Sequence, residues 1–252
     1  FDHPDEAEEH RGWLHQLRHN ARYLMTLIDD VMDLSRIEAG RLSLNLEPCE
    51  LVSVIQDAVT LMRPLAEERL LELELSFEGA VPRIVTTDGN RVRQIIVNLV
   101  SNAIKFTTEG GVKVVGRLVD GAGAGEQVLE VAVSDTGIGL PSERLEDLVA
   151  PFARGGNPEV QRVQGAGLGL AIVWRLAEHL GLEISAASAE GAGSIFKLHF
   201  ALQPEEAVDL IEPASIASSP DAKASSPTLS LDNTRVLIVD DNPFNPRLFH
   251  AV

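Results

Sequence analysis

The 252-residue chain is long enough for one large domain or two modest ones, and 44% apolar with 23% charged residues is an ordinary soluble balance. A formal net charge of −17 repels nucleic acid and anionic membrane, so a nucleic-acid partner is excluded and any nucleotide must be held by local donors and a cation. The single Cys49 rules out an internal disulfide, and neither a membrane-length apolar run nor a signal-peptide pattern is read, which points to the cytoplasm.

Residues 5–39 are expected to form one long helix. Leu14, Leu17, Ala21, Leu24, Ile28 and Val31 recur at spacings of three and four, a heptad seam that calls for partner helices, and Gly40 stops it. Residues 41–48 alternate and predict a strand, 51–70 a helix and 70–78 a second strand. A helix over 89–106 follows, then strands over 111–119 and 127–135 joined as a hairpin. A short helix near 142–148 and a polar loop lead to a helix over 168–180, and strands over 182–188 and 194–202 close the region. A helical layer on a largely antiparallel sheet, an α+β two-layer sandwich, fits this order. From 203 to 233 the composition turns to Pro, Ser, Ala and acid, as in a disordered linker, before "RVLIVDDNPFNP" resumes as strand, acidic pair and turn.

Three clusters carry chemistry. On the 89–106 helix, Asn98, Asn102 and Lys105 form one stripe at i, i+4 and i+7, bordered by Ile95, Val97 and Ile104. Asparagine is a mediocre helix former, so two in one mid-helix stripe suggest a sheltered polar site. An amide carbonyl suits Mg²⁺, and a nearby lysine suits phosphate. The stretch "SDTGIGL" ends an apolar strand with Asp135, followed by Gly137 and Gly139. A carboxylate there accepts from the amine of adenine, while Asp-Thr-Gly is equally good turn chemistry. Finally Gly165, Gly167 and Gly169 open a helix at a spacing that is neither a Rossmann turn nor a Walker loop.

In order, "NLVSNAIKF", "DTGIG", "PFARGG" and "GAGLGLAI" resemble the N, G1, F and G2 boxes of the histidine kinase ATP-binding domain, in the superfamily shared with gyrase and the MutL repair ATPases. The resemblance runs from about Leu42 to Leu202 and implies a Bergerat-type ATP-binding fold with ATP and Mg²⁺ as cofactors. It further implies that Asn102 ligates Mg²⁺ with Asn98 beside it, that Lys105 reaches the phosphates and that Phe106 lines the pocket. By the same likeness Asp135 with Gly137 and Gly139 reads adenine, Phe152 anchors a lid and Arg154 approaches the terminal phosphate. Gly165, Gly167, Leu168 and Gly169 would wrap the triphosphate, and Ser194 stands where the family often has threonine. The flanks are similar to hybrid sensor kinases: 1–40 to the second helix of a dimerisation and phosphotransfer domain, 234–252 to the start of a receiver domain whose Asp240 and Asp241 help bind Mg²⁺.

None of the seven histidines is followed by an acidic residue, so no acceptor histidine is read and self-labelling is not expected. The expected function is therefore a histidine protein kinase core, cut at both ends, that transfers the γ-phosphoryl group to a histidine elsewhere. It would be a homodimer through the N-terminal helix, with a response regulator or receiver domain as partner and membrane attachment only through upstream sequence. The rival readings are a nucleotide-binding pseudokinase scaffold and a gyrase-type ATPase, the latter disfavoured because such enzymes place a glutamate base where Asn98 stands.

Overall fold

In the computed structural model the described residues are 13, 17, 21, 24, 25, 28, 31–37, 39–121, 123, 126–139 and 167–213. The chain divides into the units Phe1–Ser218 and Ser219–Val252, and the second lies wholly outside the described residues.

Helix α1 is continuous over 31–37, and each described residue from 13 to 28 is helical as well. It ends where the reading placed the stop: Gly40 turns to φ +62°, and Arg41 N–H donates to the Arg36 carbonyl at 2.8 Å. Strand β1 (Glu47–Cys49) leads into α2 (Leu51–Glu68), β2 (Glu72–Glu78), β3 (Val81–Pro82), β4 (Val85–Thr87) and α3 (Gly89–Phe106). Then come β5 (Gly111–Asp120), β6 (Gln127–Asp135), α4 (Gly169–Leu180), β7 (Glu183–Ala189), β8 (Gly193–Ala201) and β9 (Leu210–Ile211).

The main sheet has the order β2-β5-β6-β8-β7. Its β2–β5 pair is parallel and needs a crossover, which α3 supplies; the other neighbours are antiparallel. Period-two alternation sends Leu129, Val131 and Val133 of β6 to one face, where they join Val92, Ile96, Leu99 and Ala103 of α3 in a single core. Helix α3 packs against α2 on one side and α4 on the other. The result is the expected α+β architecture of helices on a mostly antiparallel sheet.

Three features differ from the sequence expectation. The strand expected over 41–48 is regular only at Glu47–Cys49, because only those residues find a partner, in β4. Strands β3 and β4 were not anticipated. Residues 203–213, which begin the stretch with linker composition, carry β9 paired with β3, and Glu206 there is buried. The expected short helix near 142–148 falls outside the described residues.

Helix α1 meets the domain through its last turns. Leu34 and Ile37 are buried in the core, and Asp33 Oδ2 accepts from Gln94 Nε2 at 2.7 Å and from Arg91 Nη1 at 3.3 Å. Farther back, the seam residues Leu17, Leu24, Ile28 and Val31 are exposed in the single chain.

Candidate functional site

Helix α3 is started by Asp88, whose Oδ1 accepts from Asn90 N–H and Arg91 N–H, both at 3.1 Å. Its other oxygen accepts from Asn45 N–H at 3.0 Å, so the buried carboxylate is fully used. With the apolar face turned into the core, Asn98, Asn102 and Lys105 are left half-buried on one flank. Asn98 Nδ2 is shielded from solvent and has no hydrogen-bond partner among the described residues. An unmet buried donor costs about 1–3 kcal/mol, so this amide calls for a partner outside the described residues. Lys105 Nζ lies 5.1 Å from the centre of the Phe106 ring.

The second wall is the end of β6. Antiparallel register puts Asp135 opposite Ser194 of β8. Gly137 N–H donates to Asp135 Oδ1 at 2.8 Å, and Ser194 adds bonds from backbone and side chain. Burial nevertheless prevails and pushes the Asp135 carboxyl above its ordinary value. Gly139, at φ +60°, lies against the Ala189 carbonyl, and Gly193, at φ +84°, against that of Asp135; a Cβ on either would collide with backbone. This close fit holds the loop after Asp135 to the β7–β8 turn. Ile138 N–H donates to the Phe106 carbonyl at 3.2 Å, which joins this wall to the end of α3.

The third wall is the start of α4. Gly167 has φ +73°, Leu168 is buried and Gly169 is the first helical residue. A Cβ on Gly169 would stand 3.3 Å from Asn102 Nδ2. The glycines and the asparagine stripe, far apart in sequence, are therefore direct neighbours.

The structure thus gathers Asn98, Asn102, Lys105, Phe106, Asp135, Gly137, Gly139, Gly167, Leu168, Gly169 and Ser194 on three adjoining walls: α3, the ends of β6 and β8 with the loop after Asp135, and the start of α4. Phe152, Arg154, Gly165, Asp240 and Asp241 lie outside the described residues. Among the described residues no group of three or more His, Cys, Asp or Glu side chains could hold a metal. Sequence reasoning missed Ser188, whose Oγ donates to the Gly193 carbonyl and lies 3.0 Å from Ser194 Oγ. The signal was present, since pairing the last two strands as a hairpin puts Ser188 opposite Ser194. It also missed Arg69, for which the sequence carried no signal.

Residues 87–204 match the family described as histidine kinase-, DNA gyrase B-, and HSP90-like ATPase. Over 98% of its length the chain is 33% identical to the autoinducer 2 sensor kinase/phosphatase LuxQ of Vibrio parahaemolyticus, and over 73% it is 39% identical to the sensor protein GacS of Pseudomonas syringae. The chain carries a histidine kinase catalytic ATPase domain. Among solved structures, the chain is similar to full-length ShkA in complex with AMPPNP, with a TM-score of 0.64 and 31% identity over 77% of this chain and 40% of that one. The chain spans 28% of LuxQ and 20% of GacS. None of its described helices is long and apolar enough to cross a membrane.

Proposed function

We propose that this chain is the catalytic core of a hybrid sensor histidine kinase, binding ATP with Mg²⁺ and transferring the γ-phosphoryl group to a histidine on another segment. The observation that carries this reading is the placement of the Asn98–Asn102–Lys105 stripe against the glycine-led start of α4, with Asp135 at the adjoining strand end. The AMPPNP complex of the similar ShkA supports it.

In this reading Asp135 accepts from the exocyclic amine of adenine, and its bonds from Gly137 and Ser194 hold the carboxylate in place. It discriminates against guanine, which presents a carbonyl at that position. The N-terminus of α4 faces the phosphates with unpaired N–H groups, and Lys105 supplies a point charge. The amide of Asn98, without a partner among the described residues and beside Asn102, fits a magnesium–phosphate group, because Mg²⁺ takes few protein ligands and keeps its other positions for water and phosphate oxygens. Asn102 would ligate the ion, which when bound neutralises charge on the phosphate oxygens. Asn98 in place of a glutamate base favours transfer to a protein acceptor over hydrolysis. Phe152, Arg154 and Gly165 would complete the site, and Asp240 with Asp241 would bind a second Mg²⁺ in the receiver segment.

The proposed division is a dimerisation helix over 1–40, the ATP-binding domain from 41 through β9 to 213, a linker from there to 233 and the start of a receiver over 234–252. The partners are a second copy through the seam of α1 and a receiver domain that accepts the phosphoryl group. The test is calorimetry with ATP and GTP in the presence of Mg²⁺, followed by addition of a histidine-bearing acceptor helix in trans. ATP-selective binding with phosphohistidine formation is expected. Binding without labelling would make the chain a scaffold, and steady phosphate release without labelling a gyrase-type ATPase.

A further inference from the structure

The last four carbonyls of a helix have no partner within it, and in α3 these are the groups at the edge of the site. All four are satisfied, from three directions. The Ala103 carbonyl accepts from Thr107 N–H at 3.1 Å and Thr107 Oγ1 at 2.7 Å. The Phe106 carbonyl accepts from Ile138 N–H at 3.2 Å, in the loop after Asp135. The two between them, of Ile104 and Lys105, accept from Arg69 Nη1 at 3.3 and 3.0 Å. Arg69 is the residue that ends α2, and Leu70 after it adopts φ +59° while 93% exposed. The left-handed turn closes α2 locally, with Leu70 N–H donating to the Glu67 carbonyl and Leu71 N–H to the Ala66 carbonyl, both at 3.0 Å. Its effect is to break α2 where the guanidinium reaches the end of α3.

From this we infer that Arg69 is a positioning residue for the triphosphate: it fixes the last turn of α3, from which Lys105 projects, and offsets the negative pole of that helix. The inference rests on the ATP-binding reading above. The C-terminal end of a helix bears about half a negative charge, which opposes a polyphosphate bound beside it. A guanidinium on two of the carbonyls cancels part of that charge and holds the backbone of Lys105 itself. Because both bonds come from one nitrogen, a lysine can replace most of the effect, whereas a neutral glutamine cannot.

The experiment measures, in the full chain, the affinity for ATP with Mg²⁺ and for adenosine competing with a fluorescent ATP analogue. R69Q is expected to weaken ATP about 3- to 10-fold and R69K less than about twofold, with adenosine unchanged, since the effect acts on phosphate and not on the base. In a K105A background R69Q is expected to lose most of its effect. A purely structural cap would lower the melting temperature and weaken both ligands alike. That outcome, unchanged ATP affinity in R69Q, or full additivity with K105A, overturns the inference while the ATP site stands. Should K105A itself leave ATP affinity unchanged, the phosphate role of Lys105 fails and this inference with it.

Discussion

Gly169 and Asn102 face each other so closely that a methyl group on the glycine would stand 3.3 Å from the amide nitrogen of the asparagine. The contact joins the first residue of α4 to the middle of α3. It makes Gly169→Ala a test in which stability and binding move in opposite directions. Alanine is favoured over glycine in a helix by about 0.5–1 kcal/mol, so the melting temperature should hold or rise. The added methyl pushes the Asn102 amide out of place, and affinity for ATP with Mg²⁺ should fall about tenfold. Calorimetry and thermal denaturation of the same variant read both quantities, and unchanged affinity would remove Asn102 from the site.

Asp135 carries a comparable conflict between stability and function. Burial raises its carboxyl above the ordinary 3.8, so between that value and the raised one the folded chain holds a proton that the unfolded chain has lost. Stability therefore falls as pH rises through that window, and at neutral pH the charged carboxylate is a net cost. Asp135→Asn should raise the melting temperature at pH 7, with the gain disappearing below the ordinary carboxylate range. The same variant should lose the preference for ATP over GTP, because an amide can also donate to a carbonyl. Melting curves across pH, with both nucleotides titrated at pH 7, check the two halves separately.

Much of this architecture was legible because the chain follows two strong periods. Helix α3 runs over the very residues, Gly89–Phe106, that its apolar spacing marks out, and β5 and β6 follow their alternation to within a residue. What failed was pairing between distant short segments. Residues 41–48 alternate as well as β2 does, yet regular pairing needs a neighbour, and β4 offers only three residues. Strands β3 and β9 have two residues each, one of them Pro82, and no period can be read from two residues. In the site, the asparagine stripe and the glycine boxes were visible as composition at fixed spacing. The shielding of the Asn98 amide and the grip of Arg69 on the end of α3 arise only from three-dimensional neighbours.

Glu130 lies on β6 between core-facing Leu129 and Val131, so its side chain points to the sheet face away from the helices. It is buried there among three donors: Arg117 Nη2 at 2.7 Å, His199 Nε2 at 3.1 Å and Lys197 Nζ at 3.2 Å. Burial pushes its carboxyl up, but the bonds from His199, Lys197 and Arg117 outweigh it and hold the group below the ordinary 4.5. A depressed carboxyl adds stability above its ordinary range that is lost as pH falls through the folded value. Glu130→Gln should therefore lower stability at pH 7 by about 1–2 kcal/mol, less than for a fully buried pair because Arg117 and Lys197 are partly exposed. The gap to the parent chain should close toward pH 3. ATP affinity should stay within about twofold, since the site occupies the opposite face. A large loss of affinity without a loss of stability would mean that the two faces are coupled.

Glu206 fastens the segment that follows β8. Its Oε1 accepts from Thr86 N–H at 2.7 Å and its Oε2 from Gln203 N–H at 2.9 Å, while Arg83 N–H donates to the Asp209 carbonyl at 2.8 Å and β9 pairs with β3. One carboxylate thereby ties the end of the domain to β4, which in turn pairs with β1 at its entrance. The chain enters and leaves the domain through the same small group of strands. Glu206→Ala would strand two amide donors, and with partial access to water the cost should be about 2 kcal/mol, or about 5 °C in melting temperature. The loss should be local. Amide exchange should accelerate at Arg83, Thr86 and Ile211 and remain slow in α3 and β6, where the core holds the backbone independently. If exchange rises evenly across the domain, Glu206 supports the global fold; if it does not rise at Thr86, the carboxylate does not hold that amide in solution.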